Sequence, residues 1–328
     1  MLVDTNRWMK LLAVLPALAL IQCGQPGGAE GKYPLPEGIV ATDSEWQVVG
    51  ENYVYTDAPA VSPDGTVFYS DVTNWVIYRE QAGAAPQIFI DSTGGSQGMM
   101  FAADGSLIVC QNKFGELAKF APDGSRELLF ADKTYEVIGN PKAEPEFCND
   151  LVLLSNGNFY YTDRANRKVW LKRPGENPVE VASGYRPNGI IATPDETRLI
   201  TTDSIEPRLV AFDIAEDGSL LEVEPYFDPI VVTEVLDGER IGQSRSGANG
   251  MTVDADGRVY VTTFLGIQVY DPSGKMLGVI PRPGLFTSNV TFGGPDFDTL
   301  YVTGPGKVFK RKMAVKGAPY FLRSAKPE

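Results

Sequence analysis

The chain has no histidine among its 328 residues and only three cysteines. The absence of histidine excludes a Ser-His-Asp triad, a Cys-His dyad and every zinc site built on histidine ligands. Any catalysis must therefore use carboxylates, amides, hydroxyls, Lys, Tyr or a metal held by oxygen atoms. Oxygen-only sites favour hard cations, with Ca²⁺ first and Mg²⁺ or Mn²⁺ next.

Positive charge is also in the minority. Lys and Arg total 29 against 42 Asp and Glu, which gives a net charge of −13. Such a surface repels phosphate backbones, so nucleic acid is not an expected partner, whereas metal cations are not repelled. Helix signals are scarce, and turn signals such as PDG, ADG and SNG recur between runs rich in Val, Ile, Tyr and Phe. This pattern predicts many short antiparallel strands.

The apolar run that ends at Cys23 is too short and too interrupted by Pro16 to span a bilayer comfortably. Arg7 and Lys10 precede it, so residues 1–23 are predicted to be a secretory signal. Residues 20–23 resemble a bacterial lipobox, except that Gln22 stands where Gly, Ala or Ser is usual. Lipidation at Cys23 and an ordinary cleaved signal are the two alternatives. Both predict export, to the bacterial periplasm or as a membrane-anchored lipoprotein.

The Gly/Pro-rich residues 24–44 are predicted to be a linker, and residues 45–328 a single domain. Within that domain, Cys110 and Cys148 either pair in an oxidising compartment or stay as two small buried thiols.

One short pattern occurs six times: a polar residue, an apolar run, a turn eight positions after the polar residue, and a second strand-like run. The polar positions, called the anchor residues below, are Asp57, Gln97, Asn149, Asn188, Asn249 and Asn289. They are 40, 52, 39, 61 and 40 residues apart. A four-stranded propeller blade takes about 40–50 residues, so the spacing predicts an all-β, six-bladed propeller of four-stranded antiparallel blades. The anchor residues would then form an oxygen-rich ring at one end of the axis.

Two segments flank the repeats. Residues 46–55 are predicted to form an N-terminal strand that completes the last blade, and residues 307–322 contain one of that blade's own strands. Long loops are predicted at 133–147 and 228–248, overhanging the mouth of the ring.

The stretches EFCNDLVLLSNGNFYYTD (146–163) and RPNGIIATPDETRLITTDS (186–204) resemble the SMP-30/gluconolactonase/LRE family of six-bladed propellers. The resemblance extends over residues 45–310. It implies that Asp57, Asn188 and Asn249 hold a divalent metal, with Ca²⁺ first and Mg²⁺, Mn²⁺ or Zn²⁺ as alternatives. It implies a substrate contact at Asn149. Gln97 and Asn289 are placed with Asn149 as substrate-binding residues of the ring.

Two positions depart from the family pattern. Asp57 stands where a metal-binding Glu is usual, and Asn249 stands where the family has an Asp that is both ligand and general base. An amide cannot accept the proton, so catalytic competence at Asn249 is in question. Asp150 and Asp203 are nearby carboxylates that could substitute, although acidic residues at such positions more often bind backbone N–H groups.

The resemblance implies a metal-dependent hydrolase that opens a sugar-type lactone, as a gluconolactonase does. The alternative is a non-catalytic exported propeller that binds a sugar-like ligand or a protein partner, because the family's base is replaced by Asn249. The small-molecule ligand is the expected partner, and a lipid anchor the only expected membrane contact.

Overall fold

The computed structural model describes residues 32–81, 83–132, 147–223, 227–232 and 247–322. The predicted signal with Cys23 and most of both predicted loops lie outside the described residues. Within the described ranges, the chain forms six four-stranded antiparallel sheets and two short 3-10 helices, Asn112–Phe114 and Tyr320–Leu322. No helix in these ranges is long and apolar enough to cross a membrane.

Each sheet is one blade, and its strands follow one another in the sequence. Blade 1 consists of β2 (Thr56–Val61), β3 (Val67–Asp71), β4 (Val76–Gln81) and β5 (Ala84–Ile90). Blade 2 consists of β6 (Ser96–Phe101), β7 (Leu107–Gln111), β8 (Glu116–Phe120) and β9 (Arg126–Ala131). Blade 3 consists of β10 (Asp150–Leu153), β11 (Phe159–Asp163), β12 (Lys168–Lys172) and β13 (Val179–Ser183).

Blade 4 consists of β14 (Pro187–Ala192), β15 (Arg198–Asp203), β16 (Leu209–Ile214) and β17 (Leu220–Glu222). Blade 5 consists of β18 (Met251–Val253), β19 (Val259–Thr262), β20 (Ile267–Tyr270) and β21 (Met276–Ile280). Blade 6 consists of β22 (Val290–Gly293), β23 (Thr299–Thr303), β24 (Lys307–Lys312) and, from the other end of the domain, β1 (Gln47–Glu51).

The first strand of every blade lies next to the first strands of its two neighbours, and β22 returns to β2. The six first strands therefore surround a central axis, which confirms the predicted six-bladed propeller. They are almost entirely buried, since each packs against its own sheet and against adjacent blades. Aromatic pairs fill the gaps between blades, for example Phe68 with Phe101 (ring centroids 4.8 Å apart) and Tyr260 with Phe292 (5.2 Å). Burying such side chains contributes about 1.5–3 kcal/mol each to stability.

The ring is closed by the pairing of β1 with β24, from Gln47 opposite Lys310 to Glu51 opposite Lys307, with a register shift between Val48 and Gly50. Both predicted flanking strands are thus confirmed. Thr56 adds a second closure, because its hydroxyl donates to Gly304 O (2.8 Å) and accepts from Gly304 N (3.0 Å).

The predicted turns lie at the other end of the first strands, called the turn end below. All six residues at the eighth position after an anchor have positive φ, including the two that are not glycine, Glu196 (φ 55°) and Phe297 (φ 55°). The left-handed conformation is needed to reverse the chain there, and it explains why four of the six positions are glycine.

Segments before β1 and after β24 also pack on the ring. Ile39, which the sequence analysis assigns to the linker, is 3% exposed in the core between blades 5 and 6, and Val40 bridges to Met313. The packed chain therefore begins before residue 45. After β24 the chain crosses the turn end: Ala318 N donates to Val253 O (3.1 Å), and Tyr320 is buried.

Candidate active site

A cavity of about 90 Å³ follows the propeller axis, with room for several waters or a hydrated ion. Its wall comes from the first strands of all six blades, and Pro319 and Phe321 close it at the turn end. Most of the lining is aliphatic. Among the described lining residues, Asp150 carries the only charged side chain, and Asn289 the only side-chain amide.

Asp150 is the first residue of β10 and is 9% exposed. Its Oδ1 accepts from Leu151 N (2.9 Å), and Ile190 N and the Asn289 side chain lie close enough to the carboxylate to lower its pKa. Asn289 belongs to blade 6, which faces blade 3 across the ring. The carboxylate therefore has polar neighbours from blades 3, 4 and 6.

A second carboxylate lies close by. The pKa of Asp150 is raised to about 8, first by burial and then by the negative charge of Asp57, while the hydrogen bonds act in the opposite direction. Asp57 itself is 6% exposed, and its Oδ1 accepts from Ala58 N (2.7 Å).

A β-bulge directs the side chain of Asp57. The β2–β3 register shifts between Asp57 and Ala60, and Ala58 has a φ of 50°. The same irregularity occurs around Gln97, between Ser96 and Met99, and around Asn188, between Pro187 and Ile190. Bulges re-aim side chains and are common next to active sites. The anchors of blades 1, 2 and 4 thus lie at bulges, where the regular alternation of side chains between the two faces of the strand is interrupted.

Asn289 is 7% exposed, and its Oδ1 accepts from Val290 N (2.8 Å). With Oδ1 bound in this way, the side-chain NH₂ group is the part of Asn289 that is available to the nearby Asp150 carboxylate. A Cβ on Gly250 would coincide with the Asn289 amide. The glycine after the fifth anchor therefore provides the space that Asn289 occupies.

The other anchors are placed at the same end by backbone bonds. Asn188 O accepts from the hydroxyl of Thr162 (2.6 Å), and Asn249 O accepts from that of Thr202 (3.1 Å). Asn149 N donates to Thr162 O (2.6 Å). The Oε1 atom of Gln97 accepts from Asn112 Nδ2, which ties this anchor to the first 3-10 helix.

The structure thus brings three side chains together: Asp57 and Asn289, which the sequence identifies as candidates, and Asp150, for which it favours a structural role. A sequence signal for Asp150 exists. The residue after the anchor is Ala, Gly, Gly, Gly or Val in the other five repeats, and it is charged in this one alone. Asp203 does have the structural role, since it accepts from Ile205 N (2.9 Å) and binds Arg208 (3.2 Å).

The donor chemistry fits a hard cation. Two carboxylates are buried near each other, and neither Lys nor Arg is among the described lining residues. The described ranges contain no group of three or more His, Cys, Asp and Glu side chains, so a metal here would need amide oxygens as well. Oxygen ligands of this mixed kind are those of Ca²⁺ sites.

The chain is similar to known proteins over most of its length. A gluconolactonase of Zymomonas mobilis is 23% identical over 325 residues, with 87% of this chain and 85% of that protein covered. A Xanthomonas campestris gluconolactonase has a similar structure (TM-score 0.69, 21% identity, 84% of this chain and 91% of the other). So does the calcium-binding protein regucalcin from Agrobacterium tumefaciens (TM-score 0.65, 17% identity, 83% and 95%).

At these identities the solved structures show the fold. The family model for the SMP-30/gluconolactonase/LRE-like region matches residues 128–305, which is more than half of the chain. The chain belongs to the SMP-30/gluconolactonase/LRE-like family.

Proposed function

We propose that this protein is a metal-dependent lactonase that hydrolyses a sugar-type lactone at the anchor end of the axial cavity. The observation that carries the proposal is the buried pair of carboxylates, Asp57 and Asp150, with no cationic side chain among the described residues lining the cavity. The gluconolactonases similar to this chain support the reaction class, and the calcium-binding relative supports the ion.

Asp57 and Asp150 would hold the cation, together with the amide oxygens of Asn188 and Asn249. A bound divalent cation supplies a Lewis acid for the lactone carbonyl, which can contribute several kcal/mol to transition-state stabilisation. Asp150 restores the carboxylate that is missing at Asn249, but from blade 3 instead of blade 5. With Asp150, the site keeps two carboxylate ligands. This number matters because metal affinity in oxygen sites depends on the number of charged ligands.

The chain's own groups account for the rest of the reaction. Water oxygen bonds to the carbonyl carbon, its proton passes to a carboxylate, the ring C–O bond breaks, and the released alkoxide takes up the proton to give a hydroxy acid. Asp150 is the carboxylate held in the cavity wall, and the Asn289 NH₂ group orients it. Asn149, Gln97 and Asn289 are proposed to contact the substrate's hydroxyl groups.

The test is calorimetric titration of metal-stripped mature protein with Ca²⁺, followed by assays on a panel of aldonolactones with and without the ion. We expect binding and metal-dependent turnover. Asp150→Asn should lower the Ca²⁺ affinity at least tenfold and lower the metal-dependent turnover. The matched control Asp296→Asn, which removes an equally negative but exposed side chain at the turn end, should change neither. Absence of both binding and turnover in the wild-type protein would refute the proposal.

Asn249 supports a second candidate function, the non-catalytic binding of a sugar-like ligand. Ca²⁺ binding without turnover on the whole panel, with a heat of binding for a sugar acid, would favour that function over hydrolysis.

We also propose that the protein is exported. The charged and apolar start of the sequence supports this, and so does a disulfide between Cys110 and Cys148, since such bonds persist in oxidising compartments. Fractionation of cells expressing the wild type and Cys23→Ser, with mass spectrometry of the mature N-terminus, distinguishes a lipoprotein from a cleaved soluble form.

A further inference from the structure

Threonine hydroxyls tie each of several blades to the start of the next. Thr162 of blade 3 donates to Asn188 O of blade 4 (2.6 Å), and Thr202 of blade 4 donates to Asn249 O of blade 5 (3.1 Å). Thr262 of blade 5 donates to Ser288 O of blade 6 (3.0 Å). In each case the hydroxyl is near the end of the second strand, and the acceptor is the next anchor or the residue before it.

Blade 2 has a cysteine at this position. Cys110 follows its anchor, Gln97, by the same number of residues as Thr162 follows Asn149 and Thr262 follows Asn249. Instead of a hydroxyl bond, Cys110 makes a disulfide to Cys148, and the two Cα atoms are 5.4 Å apart. Cys148 is the residue before the third anchor. The disulfide therefore replaces, between blades 2 and 3, the hydrogen bond that the later blades use.

Cys148 has an unfavourable backbone conformation. Its φ is 42°, in the left-handed region that a residue with a Cβ adopts only when its surroundings impose it. Its side chain is fully buried, as is that of Cys110. The covalent bond to Cys110, in a buried strand, is a constraint that holds Cys148 in this backbone conformation.

Asn149 and Asp150 follow directly. We propose that the Cys110–Cys148 disulfide positions Asp150 on the axis, so that the oxidised protein has the competent site. This inference rests on the proposed function, and it makes the two cysteines positioning residues, since neither lines the axial cavity. Reduction by a dithiol converts the disulfide to two thiols while the reagent is oxidised to its own disulfide. Asp150 then loses the constraint but keeps its chemistry.

The test compares two double variants. Cys110→Ala/Cys148→Ala removes the tie, and Cys110→Thr/Cys148→Ala replaces it with the residue that blades 3, 4 and 5 use. We expect the first to lose at least tenfold in Ca²⁺ affinity and in kcat, with a smaller change in KM. The second should recover a measurable part of both losses. Ile267→Ala, in the buried core of blade 5, is the control for lost stability alone.

The NH₂ resonance of Asn289 gives a readout that needs neither metal nor activity, because this side chain is a close neighbour of the Asp150 carboxylate. It should shift in the Ala/Ala variant and return towards the wild-type position in the Thr/Ala variant. If the resonance shifts in the Ala/Ala variant while the wild-type protein shows no lactone turnover, the positioning role is upheld and the lactonase proposal is refuted. A lower melting temperature with unchanged Ca²⁺ affinity, kcat and Asn289 resonance would overturn the inference and leave the disulfide a purely structural bond.

Discussion

At the scale of single residues, the site depends on which side chain follows each anchor. Five of these positions are small or aliphatic, and the sixth is Asp150, whose carboxylate reaches Asn289 on the opposite blade. Function here depends as much on the absence of side chains as on their presence. Gly250 leaves room for the Asn289 amide. A Cβ added to Gly189 would lie only 2.9 Å from Gly250 Cα, so that position also has no room for a side chain.

The first prediction concerns variants that move the carboxylate from Asp150 in blade 3 to position 249 in blade 5. Asp150→Asn should lower Ca²⁺ affinity at least tenfold, because one of two charged ligands is lost, and tenfold corresponds to about 1.4 kcal/mol. Asn249→Asp in the wild-type background should raise the affinity. The double variant should regain part of the loss. Isothermal titration calorimetry of the three variants checks this, and equal affinities across the series would contradict the assignment of Asp150.

The second prediction concerns the space at Gly250. Gly250→Ala should displace the Asn289 side chain from its place beside the Asp150 carboxylate and so lower kcat. The control is Gly284→Ala, where a Cβ would meet nothing closer than 3.8 Å. Steady-state kinetics and thermal melts of both variants provide the measurement. Unchanged kinetics for Gly250→Ala would mean that Asn289 does not orient the carboxylate.

At the scale of strands and turns, the sequence predicts the repeat but not its irregularities. The period of the anchors and the turn residues defines six blades, and even Glu196 and Phe297 are correctly placed at turns by position alone. The bulges around Asp57 and Asn188 leave no signal, because they depend on pairing registers. The pairing of Cys110 with Cys148 is equally hidden, since it follows from how blade 2 packs against blade 3.

The third prediction tests a tie between strands of neighbouring blades. Thr56→Val removes the hydroxyl that both donates to and accepts from Gly304, and it should cost about 1–3 kcal/mol of stability because buried partners lose their bonds. Thr299→Val is the matched control, since that hydroxyl makes a long contact of 3.5 Å to Asp298 Oδ1. Urea denaturation compares the two. An equal loss in both would show that the closure bond contributes nothing of its own.

At the scale of the whole molecule, the two chain ends stabilise the ring from different sides. β1 completes blade 6, and the segment after β24 covers the turn end of the axial cavity. Among the described residues, this segment covers the cavity at the end opposite the anchors.

The fourth prediction removes part of that cover. Tyr320→Ala should destabilise the protein by about 2–4 kcal/mol, because a buried aromatic ring leaves a cavity behind. Leu322→Ala, two residues on and 57% exposed, should have almost no effect. Thermal and denaturant unfolding measure both. Ca²⁺ affinity of the Tyr320 variant, measured well below its melting temperature, should stay close to that of the wild type.

The pairing of β1 with β24 also has a consequence for folding. Strand residues 47–51 cannot pair until residues 307–312 have been made, so the strand pairing with the longest sequence separation is the one that completes the last sheet. Contacts of such long sequence separation form slowly. A chain made from its N-terminus can build blades 1 to 5 in order during synthesis, but blade 6 keeps an open edge until the last strand arrives. Incomplete chains should therefore aggregate through that edge.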